Sequence, residues 1–309
     1  MLNRWTRFWF EPTTPTDLAV SRCVFFAGLL LVYSGEDFSA WGAVSPAFWM
    51  PLPLFSALHL SQFSVRELQI LQTLWRVALL FSAIGLFARA SMWVAAVLGL
   101  YLLGLPHNFG QTFHFDALLV LTCVVLAFSR AADAWSVDAL VGRTAPISDG
   151  RSGEYTWPRR MIWVAMSLVF VAAGLAKVRY SGLAWVWSDN MRILLVRAAY
   201  HVSDADPLGE AGLWIAGHVW IARALAGLAL GIELSFVLAL FSRAARALLV
   251  PAALCMLVGI RVLMGPTFGA FLLANVFWMP WEAAGAQVVA WRARVRASPM
   301  PAGQNNIAA

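Results

Sequence analysis

MIWVAMSLVFVAAGLAKVRYSGLAW, residues 161–185, reads as a helix that crosses a bilayer and carries a lysine near its far end. The first 16 of these residues hold no charge, and with Arg159-Arg160 in front the run approaches the ~20 residues a span needs. Lys177 is the only lysine among 22 basic residues. An ammonium group close to hydrocarbon is costly, so a lysine there marks a functional site by default. Arginine cannot usefully lose its proton, whereas a desolvated lysine can be drawn towards the neutral amine that a base requires. The plain alternative is snorkelling. From Arg160 to Lys177 the helix rises about 25 Å against a hydrocarbon core of about 30 Å, so the ammonium can reach the outer interface. Against that, Ala172, Ala173, Gly174 and Ala176 form a small-residue surface that favours close helix contact and turns Lys177 into a bundle.

The rest of the chain is built the same way. Of its 309 residues 61% are hydrophobic and 12% charged, with a mean hydropathy of +0.72; soluble domains are nearer half apolar and a quarter charged. The expected class is all-α, a polytopic membrane helix bundle of about eight transmembrane helices over residues 1–290, with 291–309 a disordered cytoplasmic tail. Spans fit at 17–34, 67–87, 90–105, 113–129, 159–178, 214–241, 244–264 and 267–287. The basic start and first apolar run lack a small-residue cleavage site, so the first span is read as uncleaved. Arginines crowd alternate connections, among them Arg4, Arg7, Arg89, Arg130, Arg143, Arg159, Arg160, Arg243 and Arg246. The opposite connections hold fewer, offset by Glu36, Asp37, Glu67, Asp189, Asp204, Asp206 and Glu210. The positive-inside rule then places both termini in the cytoplasm and Lys177 at the outer end of span five. The net charge of +6 therefore reports topology, and no nucleic-acid partner is expected. For a bacterial chain the membrane would be the cytoplasmic one.

Local signals mark several boundaries. Thr14-Pro15-Thr16-Asp17 offers a capping threonine and an N1 proline before span one, and Ser64-Val65-Arg66-Glu67 is a capping box before span two. Ala88-Arg89-Ala90 reads as a tight turn. The 214–241 run exceeds one span and is expected to tilt or project. Residues 188–200 read as a short surface helix with Met191, Leu194, Leu195 and Ala198 on one side. SPAFWMPLPLF, 45–55, suits the interface, and ISDGRSGE, 147–154, a flexible connector. Cys23, Cys123 and Cys255 lack paired spacing and read as small core residues.

Unusual polar groups gather at the outer ends of spans three to five: His107 and Asn108, then Gln111, His114 and Asp116, then Lys177, Arg179 and Trp185. Asp116 also suits the first turn of a helix, where an acid complements the dipole. His107, His114 and Asp116 lack the i, i+4 pairing of a helical metal site, and no metal is expected. Glu233, nearly mid-span in LALGIELSFVLALF, needs a partner, protonation or a cavity; Arg223, Arg76 and Arg261 are the candidate partners. No P-loop, dinucleotide fingerprint, Gly-x-Ser-x-Gly or His-Glu-x-x-His motif is present.

Four stretches together resemble the membrane portion of vitamin K-dependent gamma-carboxylase and the wider horizontally transferred transmembrane (HTTM) domain family. They are QTFHFDALLVLTCVVLAFSRAADAWSVDALVG (111–142), VAAGLAKVRYSGLAWVWSDNM (171–191), GIELSFVLALFSRAAR (231–246) and IRVLMGPTFGAFLLANVF (260–277). The resemblance implies a base at Lys177, an assisting group at His114, and Asp116, Trp185, Glu233 and Arg261 as substrate- or cofactor-binding residues. It also implies a reduced naphthoquinone, vitamin K-like, and O2 as co-substrates at the outer face. The chain departs from the family in having Arg261 where a histidine is common, and Ala176 where the first of two lysines stands. The family's large lumenal substrate domain has no counterpart after the last span. The expected substrate is therefore a small molecule or peptide, or one held by a partner subunit, with membrane lipid around the bundle. Two other classes stay open: a non-catalytic anchoring or assembly subunit, and a transporter, although neither internal repeats nor broken helices are evident.

Overall fold

The structure is a computed structural model that describes residues 2–110, 115–145, 147, 150–201, 209–265 and 268–297. Among these residues it is all-helical, with one isolated antiparallel bridge between Thr13 and Ser152 and no strands. The helices are α1 (Leu2–Phe10), α2 (Thr16–Val32), α3 (Pro53–Ala57), α4 (Val65–Ile84), α5 (Ala88–Gly104), α6 (Phe115–Phe128), α7 (Val137–Leu140) and α8 (Trp157–Ser181). They continue as α9 (Ala184–Trp187), α10 (Asn190–His201), α11 (Gly209–Gly217), α12 (Val219–Ser235), α13 (Arg243–Met264), α14 (Gly269–Ala274) and α15 (Trp281–Ala297). With adjoining 3₁₀ turns included, four helical stretches among the described residues are long and apolar enough to cross a membrane: Ala88–Phe109, Gly153–Ser181, Val219–Leu240 and Arg243–Met264. Leu168, Leu175, Leu228, Leu248 and Val258 on their outer faces are exposed, a distribution that fits a lipid surround.

One continuous core binds the bundle. Leu18, Phe25, Phe26 and Leu29 of α2 meet Leu68, Trp75 and Leu79 of α4, and the cluster runs through α5 and α6 to Met166 and Phe170 of α8 and Phe271 of α14. The arginines within α2 and α4 are held by loop carbonyls. Arg22, fully buried, donates to the carbonyls of Ala131 (3.1 Å) and Trp135. Arg76 donates to those of Tyr33 (3.3 Å) and Glu36 (2.5 Å). Such pairing is what lets a guanidinium stay in an apolar interior.

The capping box at Ser64 and Glu67 is formed, but several local expectations are corrected. Thr14 does not cap α2; its hydroxyl donates to Glu282 at 2.6 Å, and Asp17 accepts the Glu282 N–H at 2.8 Å. These groups close the start of α15, a partner 265 residues away that local pattern cannot reveal. The turn before α5 is Gly85-Leu86-Phe87, with Gly85 at φ +72° and Phe87 at +45°, and Ala88 already lies in the helix. Asp138 makes that turn possible by accepting the N–H groups of Phe87 (3.1 Å) and Ala88 (2.7 Å). The Trp-Ser-Val-Asp stretch thus caps a neighbouring helix, in addition to Ser136 capping its own at 2.9 Å.

The 214–241 run is not one long helix. It breaks at His218, whose backbone is extended (φ −109°, ψ 90°), between α11 and α12. The last run breaks likewise before α15, which continues to Ala297; residues 298–309 lie outside the described residues. Of the connector expected at 147–154, Ser148 and Asp149 lie outside the described residues; after them the chain is docked, since Thr13 and Ser152 exchange both backbone hydrogen bonds and the buried Tyr155 donates to Asp133 at 2.9 Å. Of the cysteines only Cys123 is buried; Cys23 is half-buried and Cys255 exposed. The surface helix at 190–201 does turn Leu195 and Ala198 inward.

Candidate functional site

Lys177 sits one turn before the end of α8, and its side chain does not snorkel outward. Side chains on a helix lean towards its N-terminus, so a lysine near the C-terminal end leans back along α8 into the bundle. There Nζ donates to both carboxylate oxygens of Glu233 on α12, Oε2 at 2.6 Å. The Lys177 side chain is 22% exposed and that of Glu233 9%.

Gly174 makes this contact possible. A Cβ there would lie 3.1 Å from the Glu233 Cβ and 2.9 Å from Leu234 Cδ2. The small residue lets the α12 backbone approach one turn below Lys177, which brings the carboxylate within the ammonium's reach. Trp185, just beyond the Gly182 turn that ends α8, places its ring centroid 5.3 Å from Nζ. Its indole N–H is enclosed yet makes no hydrogen bond among the described residues.

Glu233 opens onto a cavity of about 540 Å³. The walls come from α8 (Leu168, Val169, Phe170, Ala172, Ala173, Ala176), α13 (Met256, Leu257, Ile260) and the start of α14 (Phe268, Phe271). Glu233 is the single titratable side chain among those lining residues. An apolar chamber with one acid at its wall, held from behind by the Lys177 ammonium, suits a lipid-soluble molecule with a hydroxyl or carbonyl head.

The other expected residues lie elsewhere. Arg223 packs over Trp220 (5.3 Å) and Trp187 (5.9 Å), and Arg76 is held by loop carbonyls. Arg261 folds back onto the carbonyl of Gly265 at the end of its own helix, where a cation suits the dipole. None of the three partners Glu233. His114 lies outside the described residues. Asp116 accepts a hydrogen bond from the Tyr33 hydroxyl at 2.6 Å and stands 3.5 Å from His107 Nε2. Asp116 and His107 line a second cavity, about 590 Å³, whose walls include Leu52, Phe55, Leu103 and Val120; Tyr33 holds Asp116 from outside that lining. Tyr33 carries no sequence signal for this role, because its partner is 83 residues away.

Among the described residues no group of three or more His, Cys, Asp or Glu is placed to hold a metal. No family model matches the chain, and neither curated proteins nor solved structures yield a match.

Proposed function

We propose that this chain is an integral membrane enzyme of HTTM type, in which the Lys177–Glu233 pair removes a proton from a lipid-soluble hydroquinone. The observation that carries the reading is a half-buried ammonium paired with a buried carboxylate that forms the single titratable point of an apolar cavity. In this reading Lys177 is the base for a hydroxyl presented where Glu233 opens onto the cavity, and the Trp185 ring, 5.3 Å from Nζ, flanks the amine. The cavity walls fit a naphthoquinone ring, and the bound hydroquinone supplies the electrons for reaction with O2.

In this reading the bundle has about eight spans, with α2, α4, α6 and the α14–α15 segment joining the four long helices. Both termini face the cytoplasm and the site faces the outer side. The substrate is a small molecule or peptide, or is delivered by a partner subunit. A reporter fused to the C-terminus should read cytoplasmic, and an external reading would sink the topology.

The direct test incubates purified protein with reduced naphthoquinone and O2 and follows quinone epoxide. Wild type is expected to form it and Lys177→Ala to lose at least about 100-fold in rate, the scale of a missing general base. Equal rates would end the catalytic claim. One observation favours a non-catalytic reading: both Glu233 oxygens already engage the ammonium, as in a clasp holding α8 to α12 for assembly. In that case the pair governs stability and no epoxide forms.

A further inference from the structure

At the opposite end of α8, two helices begin with basic residues where acids are favoured. Arg159 and Arg160 stand in the first turn of α8, and Arg243 and Arg246 in the first turn of α13; neither turn contains an acid. The positive end of a helix dipole disfavours cations and attracts anions. The four guanidiniums are also gathered. Arg159, Arg160 and Arg246 lie 5.5, 4.5 and 4.3 Å from the centroid of Trp163, which stacks on Trp278 at 4.4 Å. Arg243 is one turn before Arg246 and exposed.

Carboxylates answer only half of this charge. Arg159 is fully engaged, by Asp17 at 2.7 Å and by the carbonyls of Phe277 and Met279. Arg160 meets only Glu11, at 3.7 Å, and that side chain is 49% exposed. Arg246 donates to the carbonyls of Ala239 and Leu240, and neither it nor Arg243 forms an ion pair among the described residues. Aromatic faces soften such a cluster without neutralising it.

The surroundings say what kind of anion fits. Helix α1 is strongly amphipathic, with Trp5, Phe8 and Trp9 at i, i+3 and i+4, and it packs on α8. Phe8 bridges the two elements, 5.0 Å from the Arg160 guanidinium and 6.1 Å from Phe241. Trp5 (65%), Phe10 (50%) and Phe241 (75%) are left exposed around the cluster. A basic, tryptophan-rich face of this kind is at home at the headgroup level of a bilayer, where basic pockets between helices take acidic headgroups.

We infer that Arg160, Arg243 and Arg246 form a binding site for the phosphate of an anionic phospholipid headgroup, with α1 lying in the interface beside it. Two guanidiniums supply the paired donors that phosphate oxygens accept, and the exposed aromatics meet the upper acyl chains. This site is independent of the Lys177 chemistry.

The test is native mass spectrometry of the full chain in detergent, with phosphatidylglycerol, phosphatidylcholine or inorganic phosphate added in turn. Wild type should retain one phosphatidylglycerol at least about tenfold more strongly than phosphatidylcholine. Removing one guanidinium should weaken retention about fivefold. Arg243→Gln is the first variant, because among the described residues its side chain makes no hydrogen bond or ion pair that folding could miss; the Arg160→Gln/Arg243→Gln pair should abolish the preference. Equal retention of the two lipids by wild type, or unchanged retention by Arg243→Gln, overturns the assignment. Displacement of phosphatidylglycerol by millimolar inorganic phosphate overturns the lipid as ligand and leaves a free-anion site.

Discussion

Replacing Lys177 by methionine removes the ammonium from Glu233 while keeping an apolar stem of similar length. Among the described residues Glu233 has no second donor: both oxygens point at Nζ, and every other lining residue of its cavity is apolar. Breaking a buried pair by removing one member costs about 3–5 kcal/mol. The Lys177 side chain is 22% exposed, so the lower end applies, about 3 kcal/mol. At about 2–4 °C per kcal/mol this lowers the melting temperature by roughly 6–12 °C. The companion change Glu233→Leu strands a lysine instead, but a flexible ammonium can swing towards the interface, so its loss is smaller, about 1–2 kcal/mol. In the double variant Lys177→Met/Glu233→Leu two apolar side chains meet across α8 and α12, and most of the loss returns, because isosteric apolar replacements of buried pairs are close to neutral. The assay is thermal unfolding in detergent for all four proteins, closed as a double-mutant cycle. A shift under about 2 °C for Lys177→Met, or a double variant as unstable as the two losses summed, would refute the buried-clasp reasoning.

Three further outcomes follow from other contacts. Gly174→Ala puts a methyl 2.9 Å from Leu234 Cδ2 and 3.1 Å from Glu233 Cβ; overpacking of this kind costs about 1–3 kcal/mol, and a melting temperature equal to wild type would show that α12 can simply step back. Asp138→Ala strips two N–H acceptors from the start of α5, so a loss of about 1–2 kcal/mol is expected in the same unfolding assay, and none at all would deny the cap. The Asp37 carboxyl is held below the ordinary carboxylate range by the hydroxyl and then the N–H of Ser39. A depressed value means its contribution is present at neutral pH and lost as pH falls through the folded value below about 4. The stability gap between wild type and Asp37→Asn should therefore close in acid, and a gap independent of pH would reject it.

Much of the helical pattern was legible because hydrophobicity is local. The runs at 17–34, 67–87, 90–105, 159–178 and 244–264 coincide within a few residues with α2, α4, α5, α8 and α13, since each apolar run must close its own backbone hydrogen bonds. The break at His218 was not legible: Leu213, Trp214, Ile215, Val219 and Trp220 on its two sides are all apolar, and hydropathy does not record a backbone rotation. The turn at Gly85–Phe87 and the cap on α15 escaped for a related reason, because their hydrogen-bond acceptors, Asp138 and Asp17, come from distant segments.

The candidate site divides along the same line. By itself the sequence established an apolar, all-helical chain, singled out Lys177 as its one lysine and Glu233 as an acid needing a partner, and set small residues on the face between them. Which partner each would take was beyond it: a charge in an apolar run calls for compensation of any opposite sign, and the partners expected for Glu233 were Arg223, Arg76 and Arg261, not Lys177. Only the tertiary structure chose. The inward lean of side chains near the end of α8, and the missing Cβ at Gly174, bring α12 close enough for Glu233 to meet the ammonium. The same packing set Asp116 against Tyr33 beside another cavity.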